Sequence, residues 1–166
     1  RNRGLSVPIV WNCGGYENAD IIERLDGVVD IYMPDVKWSL EEPARMYSRA
    51  PGYWQAAKSA LEEMHRQVGD LTLDQQGIAE RGLLVRHLVM PGLVENSKRI
   101  IDFVATELST ETYLNLMAQY RPAYTVGQHG RYEEINRQPT REEYETIVRY
   151  ARDAGLTRLD VDSFLR

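Results

Sequence analysis

Short runs of β-branched and apolar residues alternate along this chain with longer segments of 3.6-residue period, and few folds are open to a sequence built that way. The strand-like runs fall at residues 7–11, 28–33, 83–90 and 112–118, with a weaker one at 158–161. Between them, Tyr53, Ala57, Ala60, Leu61, Met64 and Val68 share one helical stripe, as do Ile100, Ile101, Val104 and Leu108. A third stripe, Tyr144, Ile147, Val148 and Ala151, follows the capping-box pair Thr140 and Glu143 and stops at Gly155. A shorter helix is expected over 19–25. Strand and helix in repetition predict a parallel α/β sheet with right-handed crossovers. The near-continuous apolar character of the first and third runs predicts strands covered on both faces.

Two stretches interrupt the alternation. Residues 70–81 place Gln75-Gln76-Gly77 between Leu71, Leu73 and Ile78, which reads as a β-hairpin inserted before the third strand. Residues 122–139 show no period and read as a long loop over one face of the sheet. The opening Arg1-Asn2-Arg3-Gly4 lacks an initiating Met and reads as the middle of a longer polypeptide.

Composition narrows the function. A net charge of -5 argues against nucleic acid as a partner. No apolar run is long enough to span a bilayer, so no membrane role is expected. Cys13 is the only cysteine, which excludes an internal disulfide and a cysteine-rich metal site, and a reducing cytoplasm is the expected compartment. No His or Glu pattern of a zinc hydrolase is present, and no metal-ligating residue is assigned.

In parallel α/β folds, residues that act on ligands gather at the carboxyl ends of strands. Those ends deliver Asn12, Cys13, Gly14 and Gly15; then Met33, Asp35 and Lys37; then Arg86, His87, Pro91 and Gly92; then Gln119, Tyr120 and Arg121. A carboxylate, an ammonium and a guanidinium at neighbouring ends suit a ligand carrying a carboxylate together with an amine or hydroxyls. Each has a plainer reading. Arg86 inside an apolar strand also fits a structural ion pair, and Asp35 and Lys37 also fit a turn cap. Cys13 fits a small buried hydrophobe better than a nucleophile. His65 reads as a helix surface residue. His87, on the strand face opposite Arg86, reads as packed between sheet and helix.

Three segments in order carry a resemblance: Pro8 to Glu17 (PIVWNCGGYE), Val29 to Lys37 (VDIYMPDVK) and Leu84 to Gly92 (LVRHLVMPG), with Leu116 to Tyr124 (LMAQYRPAY) after them. The chain resembles proteins similar to pyruvate formate-lyase-activating enzyme, in the radical S-adenosylmethionine family. That resemblance implies the C-terminal part of an incomplete (βα)6 TIM-like barrel. It implies a [4Fe-4S] cluster held by a Cys-x-x-x-Cys-x-x-Cys motif outside this fragment, and S-adenosylmethionine as the source of a 5′-deoxyadenosyl radical. On the family pattern Lys37 and Arg86 hold the carboxylate and ribose end of S-adenosylmethionine, with Asp35 beside them and Asn12 and Gln119 nearby. The implied partners are a glycyl radical enzyme polypeptide and an electron donor such as flavodoxin or ferredoxin. The chain departs from the pattern where Asn12-Cys13 replaces an Asp–Thr pair of a monovalent-cation site, and where Gln119-Tyr120-Arg121 replaces Pro-Tyr-His. With one cysteine the fragment is expected to be inactive by itself, with no catalytic residue of its own, and to expose a sheet edge. The alternatives are a non-catalytic binding module and an aldolase-like (βα)8 enzyme using Lys37 as a Schiff-base amine.

Overall fold

The computed structural model describes residues 7–161 of the 166; the opening Arg1 to Gly4 lies outside them. Five strands run parallel: β1 (Val10–Cys13), β2 (Ile31–Pro34), β4 (Ala79–Leu88), β5 (Tyr113–Met117) and β6 (Leu159–Val161), in the spatial order β1-β2-β4-β5-β6. The two-residue β3 (Thr72–Leu73) pairs antiparallel with the start of β4. The hairpin tip is set by Asp74, whose Oδ1 accepts from the amides of Gln76 and Ile78 at 2.8 Å each. At its base Gly82, at φ +125°, lies so close to the Leu71 backbone that a β-carbon has no room.

The helices are α1 (Ala19–Glu23), α2 (Glu41–Ser48), α3 (Tyr53–Val68), α4 (Val94–Phe103), which runs into a π turn at Val104–Leu108, and α5 (Arg141–Asp153). The Thr140–Glu143 capping box starts α5 in both directions. Helix α2 was absent from the sequence reading; Pro43 falls in its first turn, where the missing amide hydrogen is harmless, and its apolar stripe is short. No helix among the described residues is long and apolar enough to cross a membrane.

Burial corrects one expectation. The sheet is not covered equally on both faces. Tyr32, Leu83, Val85, Leu114 and Leu116 are fully buried against Ile22 of α1, Leu61 and Met64 of α3, Ile100 and Ile101 of α4 and Ile147 of α5. The alternate residues Met33, Leu84, Arg86, Tyr113, Asn115 and Met117 remain half-buried. Leu84 made β4 look continuous in sequence, yet it lies on the open side. β1 is an edge strand whose Val10 is 48% exposed. It also begins three residues later than expected, so Asn12 and Cys13 belong to the strand and not to the turn. A second apolar cluster joins Trp38, Ala44, Tyr53, Ala57, Met90 and Ile135, with Tyr47, Leu88, Tyr120 and Tyr132 packed on it. It ties α2 and the 118–139 segment to the carboxyl ends of the strands.

Candidate functional site

After Pro34 the chain stays extended. Asp35 pairs in register with Arg86, the Asp35 amide donates to Cys13 O at 2.9 Å, and the Val36 amide donates to Arg86 O at 2.7 Å. Three strand ends are thereby held at one level. Alternation then puts Arg86 on the open face of the sheet and His87 on the covered one.

The charged side chains converge. Arg86 donates to Asp35 Oδ1 from Nε at 2.6 Å, its Nη2 lies 2.5 Å from the same oxygen, and Nη2 donates to Asn12 Oδ1 at 3.0 Å. Lys37 Nζ donates to the other carboxylate oxygen, Oδ2, at 3.0 Å. One carboxylate thus stands between two cations, each on its own oxygen, and the group carries a net positive charge. The side chains of Asp35, Arg86 and Lys37 are 24%, 27% and 35% exposed, so solvent reaches all three. Gln119 is not drawn in. It lies two residues past β5, exposed, with no side-chain hydrogen bond among the described residues.

The backbone beneath this cluster is fixed by two residues that no local sequence signal places here. Tyr53, in the first turn of α3, accepts from the Lys37 amide at 3.0 Å and faces the carbonyls of Gly14 and Asp35, each at 3.0 Å. Burial pushes its hydroxyl up to about 12, which keeps the proton it donates. Asn96 of α4, wholly buried, donates to Lys37 O at 2.9 Å and accepts from the Ser39 amide at 2.7 Å. Lys37 is therefore clamped at both its amide and its carbonyl. Gly15 completes the support: at φ +76°, a β-carbon there would stand 2.6 Å from Asp35 O. The Tyr53 stripe and the Gly14-Gly15 pair were visible in sequence, but only as core packing and as a flexible turn.

Other polar candidates lie elsewhere. Cys13 turns to the covered face and packs against the main core; burial raises its thiol to about 11, the opposite of what a nucleophile or a metal ligand requires. His87 is fully buried, with Nδ1 2.7 Å from Val36 O and Nε2 2.8 Å from Ser97 Oγ, and burial lowers it to about 4. His65 is less of a surface residue than its helical position suggested: Nε2 lies 3.1 Å from Asp70 Oδ1, at the opposite end of the sheet, where Ser109 and Thr112 also bind Asp70. The Pro91-Gly92 turn is held by Glu143, which accepts from the Gly92 amide at 2.8 Å. Arg137, joined to Glu143 through both guanidinium nitrogens, holds that carboxyl at about 2, with the Thr140 and Gly92 amides helping.

A polar row crosses the open face. Asp35 pairs with Arg86, Arg86 with Asn115 and Asn115 with Asp160, all in one register. Asn115 was not among the sequence candidates, because it sits inside β5 and not at its end.

No family model matches the sequence, and no solved structure matches it. The chain is 30% identical over 152 residues to an uncharacterized protein of Methanocaldococcus jannaschii, an alignment that takes in 91% of this chain and 40% of that protein. The chain thus spans about two fifths of the relative's length.

Proposed function

We propose that this chain is the later part of a radical S-adenosylmethionine enzyme of the glycyl-radical-activating type, an incomplete (βα)6 barrel whose open sheet face is the inside. One observation carries the reading: Asn12, Asp35, Lys37 and Arg86 form a single cluster at the carboxyl ends of three adjacent parallel strands. A sheet with helices on one face and a half-exposed polar row on the other suits a barrel interior that holds a ligand. The edge at β1, unpaired among the described residues, and a relative more than twice as long support a sheet with further strands.

The cluster fits the amino-acid and ribose end of S-adenosylmethionine. Arg86 keeps Nη1 without a protein partner among the described residues, and Lys37 commits one N–H to Asp35. Both are available to a carboxylate. Asp35 holds the two cations apart and accepts from a hydroxyl, while the Tyr53 and Asn96 clamp fixes Lys37 before the ligand arrives, which lowers the ordering cost of binding. The chain does not fit a [4Fe-4S] cluster, because its one thiol is protonated and turned away from the site. S-adenosylmethionine, with a reduced cluster held by other residues, supplies the radical chemistry; the residues here bind, orient and neutralise. A glycyl radical enzyme polypeptide is the partner in this reading, with flavodoxin or ferredoxin as electron donor. A Schiff-base role for Lys37 finds less support, since its ammonium is one-third exposed and paired with a carboxylate.

The test is S-adenosylmethionine binding to this chain by calorimetry, joined to 5′-deoxyadenosine release by the reduced longer protein. Binding that disappears in Arg86→Leu, together with product from the longer protein, is the expected result. No binding and no product would discard the reading.

A further inference from the structure

The polar row on the open face is divided in two. On one side Arg86 is bonded to Asp35 and Asn12. On the other side Asn115 Nδ2 donates to Asp160 Oδ2. Arg86 and Asn115 are register partners on neighbouring strands, yet no hydrogen bond joins them. These two register partners each keep an unused group: Arg86 Nη1, a donor with no partner among the described residues, and Asn115 Oδ1, a buried acceptor with no hydrogen bond.

An orphaned buried acceptor is rare and costly, so it calls for an explanation. Exchanging the two ends of the amide does not remove it. That would set Oδ1 against the Asp160 carboxylate, acceptor against acceptor, and leave Nδ2 unpaired instead. Asp160 therefore holds the amide by its nitrogen and leaves its oxygen without a partner. Asn115 itself is half-buried on the open face, between the half-buried Tyr113 and Met117 of its own strand.

We propose that Asn115 is a ligand-contacting residue of this site, its Oδ1 accepting a hydrogen bond from a hydroxyl of the bound molecule and its orientation set by Asp160. The donor is a hydroxyl and not an ammonium, because Arg86 stands at the register-paired position and its guanidinium repels a second cation. The ligand class is then a sugar-bearing molecule whose anionic group takes Arg86 while a ring hydroxyl takes Asn115. The inference rests on the S-adenosylmethionine reading and adds to it a ribose contact on β5.

The experiment is an NMR titration of the isotopically labelled chain with S-adenosylmethionine and, separately, with 5′-methylthioadenosine, which keeps the ribose but lacks the amino acid. The Asn115 side-chain amide signals are expected to move with both probes. In parallel, Asn115→Leu is expected to bind S-adenosylmethionine about tenfold more weakly, with a thermal midpoint close to that of the wild type, because removal of the unpaired acceptor offsets the loss of the hydrogen bond to Asp160. A purely structural asparagine gives the reverse pattern, a lower midpoint and unchanged affinity, and overturns the inference. Movement with S-adenosylmethionine alone overturns the hydroxyl assignment. If wild type binds and the Asn115 signals stay still, the inference falls while the S-adenosylmethionine reading stands; if wild type binds neither probe, both fall. The wild-type titration decides even if the variant does not fold.

Discussion

Arg86 and His87 are neighbours on one strand and work under opposite conditions. Arg86 stands on the open face, about a quarter exposed, in a cluster that engages Nε and Nη2 and leaves Nη1 without a partner among the described residues. His87 stands on the covered face with no exposed surface, both ring nitrogens occupied, and too desolvated to hold a proton near neutrality. Side-chain alternation along a strand makes this contrast automatic: one face of the sheet is for stability, the other is free for chemistry.

Substitutions and pH place numbers on that contrast. The covered face carries the largest expected effect. Leu114→Ala, at a position with no exposure, is expected to cost about 2–5 kcal/mol in denaturant unfolding, whereas Leu84→Ala on the open face costs less than about 1.5 kcal/mol. Similar losses at the two positions would break the distinction between the faces.

Next in size is the pH dependence of His87. Its ring has a folded value near 4 against an ordinary 6.5, so between those values the unfolded chain binds the extra proton. Its contribution is complete above pH 6.5 and declines as pH falls toward 4, amounting to about 3 kcal/mol over that window. Urea unfolding at a series of pH values reads this directly, and His87→Gln should remove the slope. A slope that survives the substitution belongs to another group.

Tyr53→Phe comes third. It deprives the Lys37 amide of its acceptor and two carbonyls of their shared donor, for an expected loss of about 1–3 kcal/mol and, on the proposed reading, weaker S-adenosylmethionine binding through a loosened Lys37. Smallest in stability is Arg86→Leu. The cluster is solvent-accessible and Lys37 still holds Asp35, so the fold should change by no more than about 1 kcal/mol, while on the proposed reading S-adenosylmethionine affinity falls at least about tenfold. Destabilisation by Arg86→Leu as severe as that by Leu114→Ala would make the rim cluster a structural ion pair.

The sequence carried more of the strands and helices than of the site's support. Period-two alternation alone separates Arg86 from His87, and the 3.6-residue stripes place α3 and α5 because each buries one face. Helix α2 escaped because eight residues with a proline in the first turn offer too little period to read. The cover on both faces was misjudged because Leu84 is apolar yet lies on the open side. Asp35, Lys37 and Arg86 were legible as candidates from their places at strand ends. Their support was not: Asn96 reaches the Lys37 segment across 59 residues, and nothing local to either marks the contact. Gln119 shows the converse, a residue at a strand end by position whose side chain takes no part in the cluster.

The Tyr53 hydroxyl has one hydrogen and faces two carbonyls, those of Gly14 and Asp35. Only one is served at a time, so rotation about the C–O bond hands the hydrogen from one to the other while the oxygen goes on receiving the Lys37 amide. The Lys37 amide therefore keeps its acceptor whichever carbonyl the hydrogen serves. In amide exchange with heavy water, Lys37 should be among the slow sites and should exchange faster in Tyr53→Phe, which removes its acceptor.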